Sequence, residues 1–213
     1  MNKLALPLIA ATAALAGCGT VNSAMREPPL SPIGALLEVG CGTGAVLRGL
    51  DEAGAVTDSG GTPIGVDLLA DRLLEARGSG DLVAQADGRT LPFRDATFDL
   101  VATFTVFSSI LDPRIRQELA LEIVRVLRPG GAVLWYDMRL PSANRNVTPI
   151  GRRMVGRLFD GLDCRLESIT VLPPLARALG DRDRTLYPML GRLPFARSHL
   201  VGILHKAGAP PTT

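Results

Sequence analysis

An α/β fold, with a mostly parallel sheet covered by helices on both faces, is what the sequence predicts, and three observations carry that expectation. From Ile33 onward, apolar strand-like runs alternate with patterns of helical period. The first run ends in a glycine-rich turn that opens directly into a helical pattern, and the second ends on an acidic residue. The chain has 213 residues, 46% of them hydrophobic and 21% charged, which is enough to bury one core and excludes global disorder and a second full domain.

The strands are expected at 35–40 (ALLEVG), 62–67 (TPIGVD), 81–86 (DLVAQA), 98–104 (FDLVATF) and 131–137 (GAVLWYD). Helices fall between them. The best marked of these has Asp112 as N-cap and Pro113 at its first position. Ile115, Leu119, Ile123 and Leu127 follow at helical spacing, and Pro129 and Gly130 stop it. A polar loop after residue 140 leads to a helix near 150–158, then to strand-like runs at 164–172 and 198–205. No internal repeat interrupts this order.

With 23 basic and 21 acidic residues the net charge is +2, too small to make nucleic acid the default partner. The distribution is uneven. Residues 31–138 carry 9 basic and 15 acidic side chains, a net of −6, whereas residues 139–197 carry 11 Arg and 5 acids, a net of +6. A basic surface of that kind suits contact with an anionic membrane. The three cysteines, Cys18, Cys41 and Cys164, have no paired spacing, so neither a disulfide framework nor a metal site is expected.

Residues 1–18 place Lys3 before an apolar run from Leu4 to Ala16, the layout of a secretory signal, with too few apolar residues to span a bilayer. Leu15, Ala16, Gly17 and Cys18 resemble the cleavage box of bacterial lipoproteins, which implies a lipid anchor at Cys18 after export. The alternative is an Ala-rich helix or an upstream extension. Residues 19–33 read as a Pro- and Ser-rich linker, residues 34–206 as the domain, and residues 207–213 as a disordered tail.

The central constellation is LLEVGCGTG at 36–44, followed at once by the helical pattern Ala45, Val46, Leu47, Leu50. Glycines let backbone approach a ligand, and free N–H groups at the helix start point into the site. Asp67 ends the next strand 23 residues beyond Gly44, where a carboxylate can accept both hydroxyls of a ribose. Gly40, Gly42 and Ala45 formally satisfy a dinucleotide pattern, which keeps an NAD-dependent oxidoreductase open. Glu38 argues otherwise. A carboxylate just ahead of the loop repels a pyrophosphate but suits an ammonium, so the ligand suggested is an adenosine with a cationic, amino-acid-like arm, S-adenosylmethionine.

These residues resemble the class I S-adenosylmethionine-dependent methyltransferases, type 11 group. The matching parts stand in order: LEVGCGTG at 37–44, GVD at 65–67, AD with LPF at 86–93, FDLV at 98–101 and LRPGG at 127–131. The resemblance implies a Rossmann-like, seven-stranded, mostly parallel sheet whose last strand is antiparallel. It implies that Glu38, Gly40, Cys41, Gly42 and Gly44 surround the methionine arm and that Asp67 and Leu68 serve the ribose side. Asp87, Gly88 and Leu91 would meet the adenine, and Phe104 and Thr105 would line the floor below the sulfonium. Ordinary tight turns, helix caps and solvated strand ends remain the alternatives for these residues singly. Where many members of the group carry a histidine after the fourth strand, this chain reads FTVFSSILD, and both histidines, His199 and His205, fall in the last strand pattern.

Methyl transfer from a sulfonium is an in-line displacement that asks for alignment and exclusion of water, with no metal required. For a hydroxyl acceptor, Asp137 with Tyr136 at the end of the fifth strand are the candidate base; the alternative is a turn residue beside a core aromatic. Phe107, Ser108, Arg139, Asn144 and Arg145 are the candidate acceptor-binding residues, with a small molecule, a glycan or a lipid-linked sugar as the acceptor and no nucleic acid. The expected compartment is the cytoplasm, with the membrane as a neighbouring surface. A non-catalytic exported lipoprotein that keeps the fold is the remaining alternative.

Overall fold

The computed structural model describes residues 33–52, 61–78, 81–141, 144–171 and 197–208. The signal-like segment 1–18, the linker as far as residue 32, and the tail from residue 209 lie outside the described residues.

In chain order the elements are β1 (Ala35–Val39), α1 (Ala45–Glu52), β2 (Thr62–Asp67), α2 (Ala70–Gly78), β3 (Val83–Gln85) and β4 (Phe98–Phe104). A single 3-10 turn at Phe107–Ser109 follows, then α3 (Pro113–Val126), β5 (Leu127–Met138), α4 (Arg152–Leu158), β6 (Leu162–Val171) and β7 (Arg197–Lys206). The strands form one seven-stranded sheet in the order β3-β2-β1-β4-β5-β7-β6. Pairings among β1 to β5 are parallel, and β7 runs antiparallel to both β5 and β6. Strand order reverses between β1 and β4, which opens a crevice beyond their carboxyl ends.

Strands buried on both faces read as continuous apolar runs, and the period of two sends alternate residues to opposite layers. On one face Leu37, Val101, Val133 and Trp135 pack with Leu119 and Ile123 of α3 and Val155 of α4. On the other, Leu36, Leu100, Ala102 and Leu134 pack with Leu47 and Leu50 of α1. Ile33, the last residue of the expected linker, is buried in this second layer, so the core begins ahead of β1.

The α3 signals act as the sequence predicts. The Asp112 side chain accepts the Arg114 N–H at 2.7 Å and Pro113 opens the helix. The fifth strand begins earlier than expected. Leu127 pairs with Phe98 and Ala132 with Leu100, so Arg128, Pro129 and Gly130 bulge out of β5, with Gly130 at φ +80°. Asp99 holds the bulge: its Oδ1 accepts Arg128 Nη1 at 2.8 Å, and its Oδ2 accepts the N–H groups of Gly34 and Ala35 at the start of β1. Lys206 Nζ donates to the Val124 and Leu127 carbonyls, which satisfies the end of α3 from the last strand.

Candidate active site

The loop from Gly40 to Gly44 leaves β1 at the reversal point. Gly40 and Cys41 both donate N–H to the Val66 carbonyl, at 2.8 and 3.0 Å, which fastens the loop across the top of β2. Gly40 has φ +73°, and a Cβ there would stand 2.6 Å from Cγ2 of Val106, beyond the end of β4. No side chain fits between the two strand ends. At Gly42 the φ of +54° is the constraint, because a Cβ would meet nothing nearer than 3.9 Å.

Glu38 points to the α1 side of the sheet, the same side as Leu36, and is 1% exposed. Its carboxyl lies near the Leu47 N–H in the first turn of α1, while Oε2 is buried without a partner. Burial, with Asp67 and Asp81 nearby adding like charge, pushes its pKa up to about 8. A buried carboxyl with an unfilled oxygen is a place for a cation or a donor. The same surroundings push the Cys41 thiol up to about 12, so it is a packed, neutral group against Gly65.

Asp67 faces the loop. Oδ2 accepts the Gly42 N–H and Oδ1 the Leu69 N–H, each at 2.9 Å. A carboxylate has about four lone-pair sites, so two remain after these bonds. Leu68 beside it is exposed. Glu38, Asp67 and the glycines are thus brought together at the neighbouring carboxyl ends of β1 and β2.

Residues 37–135 match the family model described as "Methyltransferase domain". The chain is 31% identical over 163 residues to the ubiquinone/menaquinone biosynthesis C-methyltransferase of Roseobacter denitrificans, covering 71% of this chain and 56% of that one. It is 40% identical over 108 residues to the fatty-acid O-methyltransferase of Mycolicibacterium smegmatis, covering 49% and 37%. Among solved structures, an S-adenosylmethionine-dependent methyltransferase from Methanosarcina mazei shares the fold with a TM-score of 0.61 at 14% identity, over 84% of this chain and 95% of that one. Residues 37–135 thus carry a methyltransferase domain, and the fold is that of the solved S-adenosylmethionine-dependent methyltransferases. The chain spans between 23% and 56% of the length of the curated relatives it matches.

S-adenosylmethionine is the cofactor named for solved neighbours of this fold, and the residues present here fit it. The orphaned Glu38 oxygen suits the ammonium of the methionine arm, and the two open lone pairs of Asp67 suit a ribose. Asp87 is half-buried and gripped by Arg89 through Nε and Nη2, which holds its carboxyl below the usual range. Gly88 lies against Leu119 and Val39. Leu91 is buried in the core, its N–H donated to Glu122 at 2.7 Å, so its side chain supports the loop from below.

At the end of β4, Phe104 is half-buried and Thr105 exposed. Thr105 has φ +55°, a conformation a β-branched residue adopts only under constraint. Its N–H is held by the Tyr136 carbonyl at 2.8 Å. Tyr136 stacks on His199, with ring centroids 4.9 Å apart and planes 4° off parallel. Asp137 is 1% exposed and accepts N–H groups from Ser108 at 3.1 Å and Met138 at 2.7 Å. Burial raises its pKa against those bonds. Its carboxyl fixes the loop after β4 in place. Phe107 lies fully in the core against Trp135 and Phe159, and Ser108 is buried over Asp137.

Of the expected basic segment, Arg139 turns back to β7, donating its backbone N–H to the Ser198 carbonyl and Nη1 to the Arg197 carbonyl. Asn144 and Arg145 lie in an exposed turn, with Asn144 Oδ1 accepting the Asn146 N–H. Two residues that the sequence did not single out join the site. Arg48 of α1 pairs with Asp81, ahead of β3, and donates to the Thr43 carbonyl at 3.1 Å, which braces the glycine loop from behind. Nothing in the 33-residue separation signals that pair; only the parallel packing of β1, β2 and β3 makes it.

Proposed function

We propose that the protein transfers a methyl group from S-adenosylmethionine to a small-molecule, glycan or lipid-linked acceptor by in-line displacement. Buried Glu38, with one oxygen unfilled beside the glycine loop, carries this reading. It favours a cationic nucleoside and disfavours the pyrophosphate of a dinucleotide. When bound, the cofactor supplies a methyl group on a positively charged sulfur. The remaining tasks belong to the chain. Glu38 in its charged form holds the ammonium, Asp67 orients the ribose while fastening Gly42, and Phe104 with Thr105 forms the floor on which the reacting atoms are aligned.

With both Asp137 oxygens engaged by backbone N–H groups, acceptors whose reacting atom is already deprotonated at neutral pH suit this site best. The names of the relatives support a lipid-like small molecule, since they include a fatty-acid, a quinone and a sterol methyltransferase. The net charge of +2 gives less support to the tRNA acceptor named for other relatives.

Calorimetric titration of the full chain tests the reading: heat on adding S-adenosylmethionine and none with NAD is expected, and the reverse overturns it. We place the working protein in the cytoplasm beside the membrane, because that is where the donor is made and because residues 139–197 carry a net of +6. Recovery of chain lipidated at Cys18 on the outer side of the membrane would favour an exported, non-catalytic role instead. Among the described residues no helix is long and apolar enough to cross a membrane.

A further inference from the structure

The loop that leaves β4 and the first turns of α3 enclose a charge the site has not accounted for. Arg116 is 5% exposed. Its Nη2 donates to the Leu111 carbonyl at 3.1 Å and its Nη1 to the Met154 sulfur of α4 at 3.2 Å. A thioether is a weak acceptor. Nε is buried without a partner, and among the described residues no carboxylate pairs with this side chain. A guanidinium cannot shed its proton inside a protein, so an unpaired buried one is costly unless an anion completes it.

The unpartnered Nε indicates what that anion is. Elsewhere in this chain, Arg89 grips Asp87 and Arg125 grips Glu122 through the same pair of atoms, Nε and Nη2, at 2.6 to 3.0 Å. At Arg116 the Nε of that edge has nothing to hold, and a planar, singly charged carboxylate is the group that the other two arginines place against it. The surroundings are apolar. Leu111 on one side is 52% exposed and Met154 on the other is 36% exposed, so a hydrocarbon chain attached to the anion has surface to lie on. The loop that ends at Leu111 begins beside Ser108, whose N–H is held by Asp137 at the end of β5, so Arg116 stands at the base of the loop that leaves the carboxyl end of β4.

We propose that Arg116 binds a carboxylate group of an amphipathic methyl acceptor and so selects for acidic, lipid-like substrates. The inference rests on the methyl-transfer reading for the word acceptor, but its test does not depend on turnover.

The full chain, saturated with S-adenosylhomocysteine so that no reaction occurs, is titrated with octanoate and with its uncharged twin 1-octanol. Octanoate is expected to bind at least tenfold more tightly than octanol. Arg116→Met should close that gap and Arg116→Lys should keep part of it, with the affinity for S-adenosylhomocysteine unchanged in both. The melting temperature of the unliganded Arg116→Met protein should hold or rise, because a lone buried cation has been replaced by an apolar side chain of similar length. A lower melting temperature with the octanoate-to-octanol ratio unchanged would make Arg116 a strut between Leu111 and Met154 and overturn the proposal. So would tighter binding of octyl phosphate than of octanoate, or no octanoate binding at all. Absence of any heat with S-adenosylhomocysteine is a separate result, and it sinks the methyl-transfer reading instead.

Discussion

Glu38 shows how one buried side chain couples function to stability. Unfolded, it titrates near 4.5; folded, burial holds it near 8, so between those values the native state carries the extra proton. Stability therefore falls as pH rises across that window. A cationic ligand reverses the preference, because it binds the charged form. Cofactor affinity is thus expected to rise with pH up to about 8 and then level off, with proton release on binding at neutral pH. Glu38→Gln should flatten that profile, weaken binding and raise the melting temperature at pH 8; calorimetry in buffers of different ionisation enthalpy reads the proton directly. Asp67→Ala should weaken cofactor binding by about 1.5–3 kcal/mol, the usual loss for hydrogen bonds to a charged group. An unchanged dissociation constant would remove Asp67 from the ribose. Both residues were legible in the sequence as a carboxylate before a glycine turn and one at the next strand end. Their neighbours Arg48 and Asp81 were not, because their pairing depends on three strands lying side by side.

Among the elements, α3 shows local signals deciding a boundary. Asp112 and Pro113 start it and Leu119, Ala120 and Ile123 bury its inner face, in agreement with the spacing. Replacing Asp112 by Ala leaves the Arg114 N–H without its partner and should cost about 0.5–2 kcal/mol, measured by urea unfolding. An undiminished midpoint would show that another group caps the helix. The start of β5 was not legible in the same way. Pro129 and Gly130 read as a stop, yet the chain passes straight from helix to strand and places them in a bulge. The partner that permits this, Asp99 on β4, is remote in sequence and ties the bulge to Gly34 and Ala35. The notable residue at β4's end, Thr105 at φ +55°, is likewise invisible locally, since threonine is a poor residue for that conformation.

For the molecule as a whole, a ligand that binds only the folded state adds stability by mass action, about 2.7 kcal/mol at one hundred times its dissociation constant. S-adenosylmethionine at that excess is expected to raise the melting temperature by several degrees, and NAD at the same concentration to leave it unchanged. Equal shifts from both would mean that the crevice does not discriminate by charge. The global features most open to reading beforehand were the alternation of strand and helix and the nucleotide loop, because both rest on short-range patterns: apolar period, glycine backbone freedom and the sign of one carboxylate. What became of Phe107, Asp137 and Arg139 was settled by packing. Phe107 went to an aromatic cluster with Trp135 and Phe159, Asp137 to a pair of backbone N–H groups, and Arg139 to the carbonyl of Arg197. A sequence states which groups a chain possesses, and short-range order places those that act next to their neighbours. Which polar groups are left over in the interior, as Arg116 is, emerges only when distant segments have closed around them and solvent can no longer supply the partner.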